Sequence, residues 1–303
     1  MIQTKTVGQH FIICIPKDWE KYTLESLFKD YWKAPKKLVH ELRMEKNVLI
    51  NGQEAVWSSH FHLGDTLSIP FFHPEAPIVQ PTYMEIDILF EDDHLLIANK
   101  PAGMDTHSNS DKDHFSLLNG VAFYLQSKGN LHYIKHIHRL DRDTTGAVIF
   151  AKHRMCGAIL DRLLEERKIK RTYVALVEGK MKTSSGTISK PIGRDRHHPT
   201  RRRVSSTGQS AVTHYKVLSY NAKKNTTLIS CQLDTGRTHQ IRVHLSSIGH
   251  PLIGDSLYGS RVKQKRQALH ALKVEFAHPF TEEIIVCNAP FVDTPSIFPD
   301  MDV

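Results

Sequence analysis

Apolar and polar positions along the chain fall into two regimes. Up to about residue 70 the apolar runs are short and mixed in period. Residues 8 to 15 (GQHFIICI) make a run of strand length. Residues 23 to 32 (TLESLFKDYW) put Leu24, Leu27, Phe28 and Tyr31 on one face of a helix, with Thr23 as N-cap. After Ala34-Pro35 a second helix carries Lys36, Lys37, His40 and Arg43. Residues 48 to 50 form a short strand, Asn51-Gly52 marks a hairpin turn, and residues 63 to 69 supply a further strand. Residues 71 to 84 hold Pro74, Pro77 and Pro81 with little periodicity, which reads as a stiff linker.

From residue 86 strand-length runs dominate, at 86 to 90, 95 to 98, 147 to 151, 168 to 179, 211 to 219 and 226 to 233, with a last pair around His278-Pro279-Phe280. Helical periodicity covers 116 to 126 and 155 to 167. This predicts an α+β protein: a small α+β unit over 1–72, a linker over 73–84, a sheet-rich unit with flanking helices over 85–290, and a tail over 291–303 that is expected to fray. Alternation of strands and helices is too irregular for a doubly wound fold, and there is no glycine-rich phosphate loop.

Charge narrows the choice of partner. The 303 residues include 40 Lys+Arg against 32 Asp+Glu, a formal charge of +8 and a pI near 9.2. That balance suits a polyanion. The stretch from 190 to 203 carries Lys190, Arg194, Arg196, Arg201, Arg202 and Arg203 against the single acid Asp195, and reads as a mobile basic loop suited to phosphate contacts. The four cysteines (Cys14, Cys156, Cys231, Cys287) are far apart and form no Cys-x-x-Cys pair. With no signal-peptide pattern and no run of membrane-spanning length, the expectation is a soluble, cytoplasmic protein with no membrane association. Twenty histidines raise the question of a metal, but no cysteine joins them and no His-Glu-x-x-His helix is present, so no metal and no cofactor is expected.

The densest chemistry lies in residues 138 to 146, HRLDRDTTG, just before the apolar run 147 to 151. Asp141 would sit on the loop feeding a buried strand, amid positive charge that favours a carboxylate's ionised form. Such a group can attack an electron-poor carbon or steady a developing cation. Taken alone, the stretch reads first as an exposed acidic loop paired with arginines; the rest of the chain reverses that preference.

Several separate stretches, in order, resemble the RluA-type family of pseudouridine synthases. LLIANKPAGM is similar to its first motif and HRLDRDTTG to its signature, with Thr145 where serine is usual. KRTYVALVEG resembles the segment that supplies an active-site tyrosine, with Arg171 where lysine is common. GRTHQIRVHL and GHPLIGDSLYG resemble the third motif, and RQALHALKVEFAHPFT the closing strands. Together these cover roughly residues 86 to 290. In the first regime, two small helices followed by VLINGQ and LGDTLSIP resemble the RNA-binding module named for the ribosomal S-four protein, with Pro35-Lys36-Lys37 replacing the usual serine-arginine start of its second helix.

The resemblance implies a mixed, mainly antiparallel sheet with the active site in a cleft across it, and conversion of uridine to pseudouridine in an RNA chain, with ribosomal RNA favoured over transfer RNA and a monomer expected. It makes Asp141 the catalytic aspartate, Tyr173 the tyrosine that stacks on uracil, and Arg242 the fixed cation beside the aspartate. Arg237 and Arg139 remain alternatives for that cation. Arg139 also fits an RNA-facing wedge that holds the place of a flipped base. Lys36, Lys37, Arg43, Arg194, Arg196, Arg201, Arg202, Arg203 and Arg237 are the remaining candidate RNA contacts. Breaking a glycosidic bond leaves positive charge on the ribose, which a carboxylate stabilises or captures. Attack on the sugar carbon and removal of the 2′ proton stay open for Asp141. The competing readings are a non-catalytic RNA-binding or RNA-folding factor and a glycoside or nucleoside hydrolase. A hydrolase is weakened by the lack of a second acid in a comparable motif.

Overall fold

A computed structural model describes residues 2–73, 79–108, 114–129 and 133–299. Part of the expected linker (Pro74 and Pro77) and the end of the tail lie outside the described residues.

The first unit is a five-stranded sheet with two helical segments. Thr4–Val7 and His10–Cys14 form a hairpin rather than one strand, because Gly8 turns the chain at φ +58°. Thr23 caps the first helix through a reciprocal bond with Ser26; its second half, Leu27–Tyr31, widens to a π-turn. The helix Lys36–Glu45 follows. Asn51 and Gly52 both take positive φ, 52° and 80°, as the two-residue turn between Leu49–Ile50 and Gln53–Glu54 requires.

The second unit is a mixed, mainly antiparallel sheet. From one edge its strands run Ser185–Ser189, Val212–Asn221, Thr226–Leu233, Lys170–Glu178, Leu269–Ala277, Thr145–Ala151, Leu95–Lys100 and Asp87–Glu91. Neighbours are antiparallel except at the centre. There Thr145 and Gly146 pair in parallel with His270 and Ala271. Beyond this short junction Leu269–Ala277 turns to Ile284–Asn288, and the far end of Thr145–Ala151 to Lys135–His136.

Alternate residues of the Leu95–Lys100 strand serve two cores, as a strand's period of two demands. Leu95 and Ile97 face the helix Arg154–Glu165 and the first unit; Leu96 and Ala98 face the helix Leu117–Ser127. The first unit shares its core with the sheet. Phe11 and Trp32 pack on Phe280 at 5.1 and 5.9 Å, and Phe71 stacks on His153 at 4.8 Å. Among the described residues no helix is long and apolar enough to cross a membrane.

Two expectations need correction. Residues 190 to 203 are not an open loop: Ile192–Arg194 and Arg202–Val204 pair as a hairpin. Asp195 sits buried at its turn, takes Arg201 in an ion pair and accepts the His197 amide, so the lone acid organises the basic stretch. The tail up to residue 299 does not fray either. Phe298 is buried and stacks on Phe291, and Asp293 pairs with Arg266.

Candidate active site

The loop before Thr145–Ala151 overhangs the parallel junction, and three side chains pin it. Lys100 is fully buried and donates to the carbonyls of Pro101 (2.9 Å), Met104 (2.6 Å) and Arg142 (2.8 Å). Burial pushes its ammonium down to about 7, against the pull of Asp105, Asp141 and Asp143. The Thr106 hydroxyl bonds both backbone groups of Leu140, at 3.0 and 3.1 Å. On the other side Arg266, held by Asp293, donates to the Asp143 carbonyl (3.2 Å) and the Thr145 hydroxyl (2.9 Å). The backbone of residues 140, 142 and 143 is therefore fixed around Asp141. Arg142 and Asp143, without a role in the sequence, contribute these carbonyls.

Across the junction Thr238 leads into the helix Gln240–Ser247, which carries Arg242 in its first turn. Arg242 donates Nη1 to Asp141 Oδ2 at 2.9 Å and turns Nε and Nη2 to both oxygens of Asp255, at 2.7 and 3.0 Å. Flanked by two carboxylates, its guanidinium is held in the charged form despite burial. Tyr258 lies under it, 5.0 Å from ring centre to guanidinium carbon, and bonds His239 Nδ1 at 2.8 Å. His239 Nε2 is 3.9 Å from Asp141 Oδ2.

A cavity of about 640 Å³ has Asp141, Tyr173, His239, Arg242, Arg139 and Arg237 in its wall. Tyr173 is buried, which raises its pKa and keeps the hydroxyl neutral; Arg171 beside it acts the other way. Arg139 is exposed at the wall, and Arg237, also exposed, spends Nε on the Ser210 carbonyl at 3.1 Å. Of the three arginines considered for Asp141, Arg242 is the one whose guanidinium touches it. Lys36, Lys37, Arg43, Arg194, Arg196, Arg201, Arg202 and Arg203 do not line the cavity. Arg43 lies over Trp57 and pairs with Glu25 on the first unit. Arg202 reaches the site only indirectly, its amide donating to the Tyr258 hydroxyl at 2.9 Å.

Sequence reasoning missed Asp255, His239, Tyr258 and Arg171 as site groups. Asp255 and Tyr258 lay in a quoted motif, yet only their position behind Arg242 gives them a task. Two further histidines are engaged in the scaffold: His244 bonds Thr213 and the Lys190 carbonyl, and His270 bonds Thr145 and the Ala289 carbonyl, whereas His136 and His138 line the cavity.

A carboxylate clamped to a buried arginine, with a tyrosine beside it in a basic-walled cleft across a mixed sheet, is an arrangement suited to glycosidic chemistry on a polyanionic substrate. Residues 94–247 match the RNA pseudouridylate synthase family, and residues 11–67 match the N-terminal domain of RluD ribosomal pseudouridine synthases. The chain is 50% identical to the RNA pseudouridine synthase YhcT of Bacillus subtilis, over 94% of each chain. It is 34% identical to the ribosomal large subunit pseudouridine synthase D of Pasteurella multocida, over 88% of this chain and 86% of that one. Among solved structures, human RNA pseudouridylate synthase domain containing 1 superposes with a TM-score of 0.56 at 26% identity, covering 68% of this chain and 83% of that chain. The chain belongs to the RNA pseudouridine synthase family. It is an isomerase that acts on RNA, converting uridine to pseudouridine.

Proposed function

We propose that this enzyme modifies large-subunit ribosomal RNA, with Asp141 as the reacting carboxylate, Arg242 as its fixed cation and Tyr173 as the platform for the flipped uracil. The observation that carries this reading is the bridge from Asp255 through Arg242 to Asp141 at the wall of the cleft. A carboxylate that faces a developing ribose cation must be ionised and aimed, and a guanidinium itself fixed by a second carboxylate does both. Tyr173 offers an aromatic face of the kind on which bases stack. Arg139, exposed at the cleft wall, is read as the wedge that fills the place of the extruded base.

The preference for ribosomal RNA rests on the match of residues 11–67 and on the names of the relatives. In this reading residues 1–72 add a second RNA contact through Lys36, Lys37 and Arg43, residues 73–84 tether them, and residues 85–290 carry the chemistry. The hairpin arginines Arg194, Arg196, Arg201, Arg202 and Arg203, with Arg237, are read as phosphate contacts. The chain is read as a monomer, and ribosomal RNA as substrate supports a cytoplasmic site of action.

Mapping pseudouridines in ribosomal and transfer RNA from cells with and without this chain tests the substrate. Loss of one or more pseudouridines from large-subunit RNA is expected. Loss from transfer RNA alone contradicts the ribosomal reading.

A further inference from the structure

His239 stands in the cleft with one ring nitrogen tied and the other unspent. Its backbone is left-handed, φ +59°, a strained conformation for a residue with a side chain and one that recurs at functional sites. Nδ1 lies 2.8 Å from the Tyr258 hydroxyl. That hydroxyl already accepts the Arg202 amide at 2.9 Å, and an amide can only donate. The hydroxyl's own hydrogen is free to go to His239 Nδ1, and we assign it there. Burial lowers the pKa of His239, against the opposing pull of Asp141, so the ring is neutral. A neutral imidazole that accepts at Nδ1 carries its hydrogen on Nε2. Nε2 makes no hydrogen bond among the described residues and points into the cleft 3.9 Å from Asp141 Oδ2, beyond hydrogen-bond contact.

We propose that His239 is a catalytic residue whose Nε2–H donates a hydrogen bond to the O2 carbonyl of uracil as the glycosidic bond breaks. This rests on the reading of Asp141 as the reacting carboxylate. When the N1–C1′ bond breaks, its electron pair stays with the base, which becomes an anion delocalised over N1, O2 and O4. The same holds whether Asp141 adds to C1′ or takes the 2′ proton. His239 keeps its proton throughout; the charge it stabilises is used up when C5 of the turned base bonds to C1′, after which C5 gives its proton to solvent and N1 takes one up. A fixed donor facing charge that exists only after bond breaking favours the transition state over the ground state. Arg242 directs Nε, Nη1 and Nη2 to the two carboxylates, whereas His239 Nε2 lines the same cavity with no hydrogen bond among the described residues. Tyr258 is a positioning residue: it sets the tautomer.

Single-turnover cleavage on an RNA with the mapped target uridine tests this. His239→Ala is expected to lower the rate about 100-fold, the usual loss for one such donor, with RNA affinity within about twofold. The same RNA carrying 5-fluorouridine at the target supplies the decisive comparison. Fluorine stabilises the departing anion, so the defect of His239→Ala shrinks to about tenfold or less if His239 serves that anion. A defect of equal size on both RNAs, or none on either, overturns the proposal. The ratio is taken within each variant, so partial misfolding, which slows both reactions alike, leaves it unchanged. Tyr258→Phe is expected to slow the native enzyme but to add nothing in a His239→Gln background, because glutamine has no tautomer to set; full additivity contradicts the role given to Tyr258. Asp141→Ala abolishes cleavage of both RNAs. Cleavage retained in that variant sinks the Asp141 reading itself, a result distinct from any His239 outcome.

Discussion

Arg242 answers two carboxylates at once, and the two differ in what they cost to lose. Asp141 faces the cleft, whereas Asp255 is buried behind the arginine and, among the described residues, its carboxylate hydrogen-bonds no other side chain. Removing one partner of a buried pair leaves an uncompensated charge. Asp255→Ala is therefore expected to lower stability by about 3 kcal/mol and kcat at least tenfold, because Arg242 loses its aim. Thermal unfolding and steady-state turnover check this; a variant of native stability and kcat would show that Arg242 is held by other means. At this scale the residues proposed for the reaction were legible as candidates, because Asp141, Tyr173 and Arg242 each lie in a motif dense in chemistry. Asp255 was not. It lies 13 residues beyond Arg242 amid turn formers, and nothing in that spacing says that the chain doubles back to place the carboxylate behind the guanidinium.

Elements position these residues through one close contact. Gly146 opens the Thr145–Ala151 strand at φ +114°, and a Cβ there would lie 2.3 Å from the Ala271 carbonyl oxygen. Only glycine lets the two halves of the sheet meet in parallel beneath the Asp141 loop. Gly146→Ala is expected to cost on the order of 1–3 kcal/mol from backbone strain alone, and to depress kcat more than RNA affinity as the loop shifts. Native melting temperature and turnover in that variant would mean that the junction does not set the loop. Strands were readable where apolar runs are continuous, as in residues 147 to 151, all buried. The hairpin within residues 190 to 203 was not, since its two strands are three residues each and hidden in a charge run. The helix Gln240–Ser247 was not assigned either; Arg242 and His244 are buried on it through specific partners, so its inward face carries no simple apolar stripe.

The whole molecule joins a small unit and a sheet-rich unit through a shared aromatic and histidine core rather than through the proline-rich stretch alone. Phe11, Phe71, Phe72 and Trp32 from the first unit meet His94, His153 and Phe280 of the second. That arrangement fixes the basic helix Lys36–Glu45 relative to the cleft, a relation invisible in sequence because the contacts are long-range. The net charge and the order of motifs pointed to RNA without it. In the proposed mechanism a single carboxylate, Asp141, aimed by Arg242, turns a bound RNA into a reacting one. The direct measurement is pseudouridine formation and RNA affinity for the purified full chain and its Asp141→Ala variant, side by side on large-subunit ribosomal RNA. Turnover is expected to disappear while affinity stays within a few-fold, since affinity comes mainly from phosphate contacts elsewhere. Turnover that persists in the variant would contradict that mechanism.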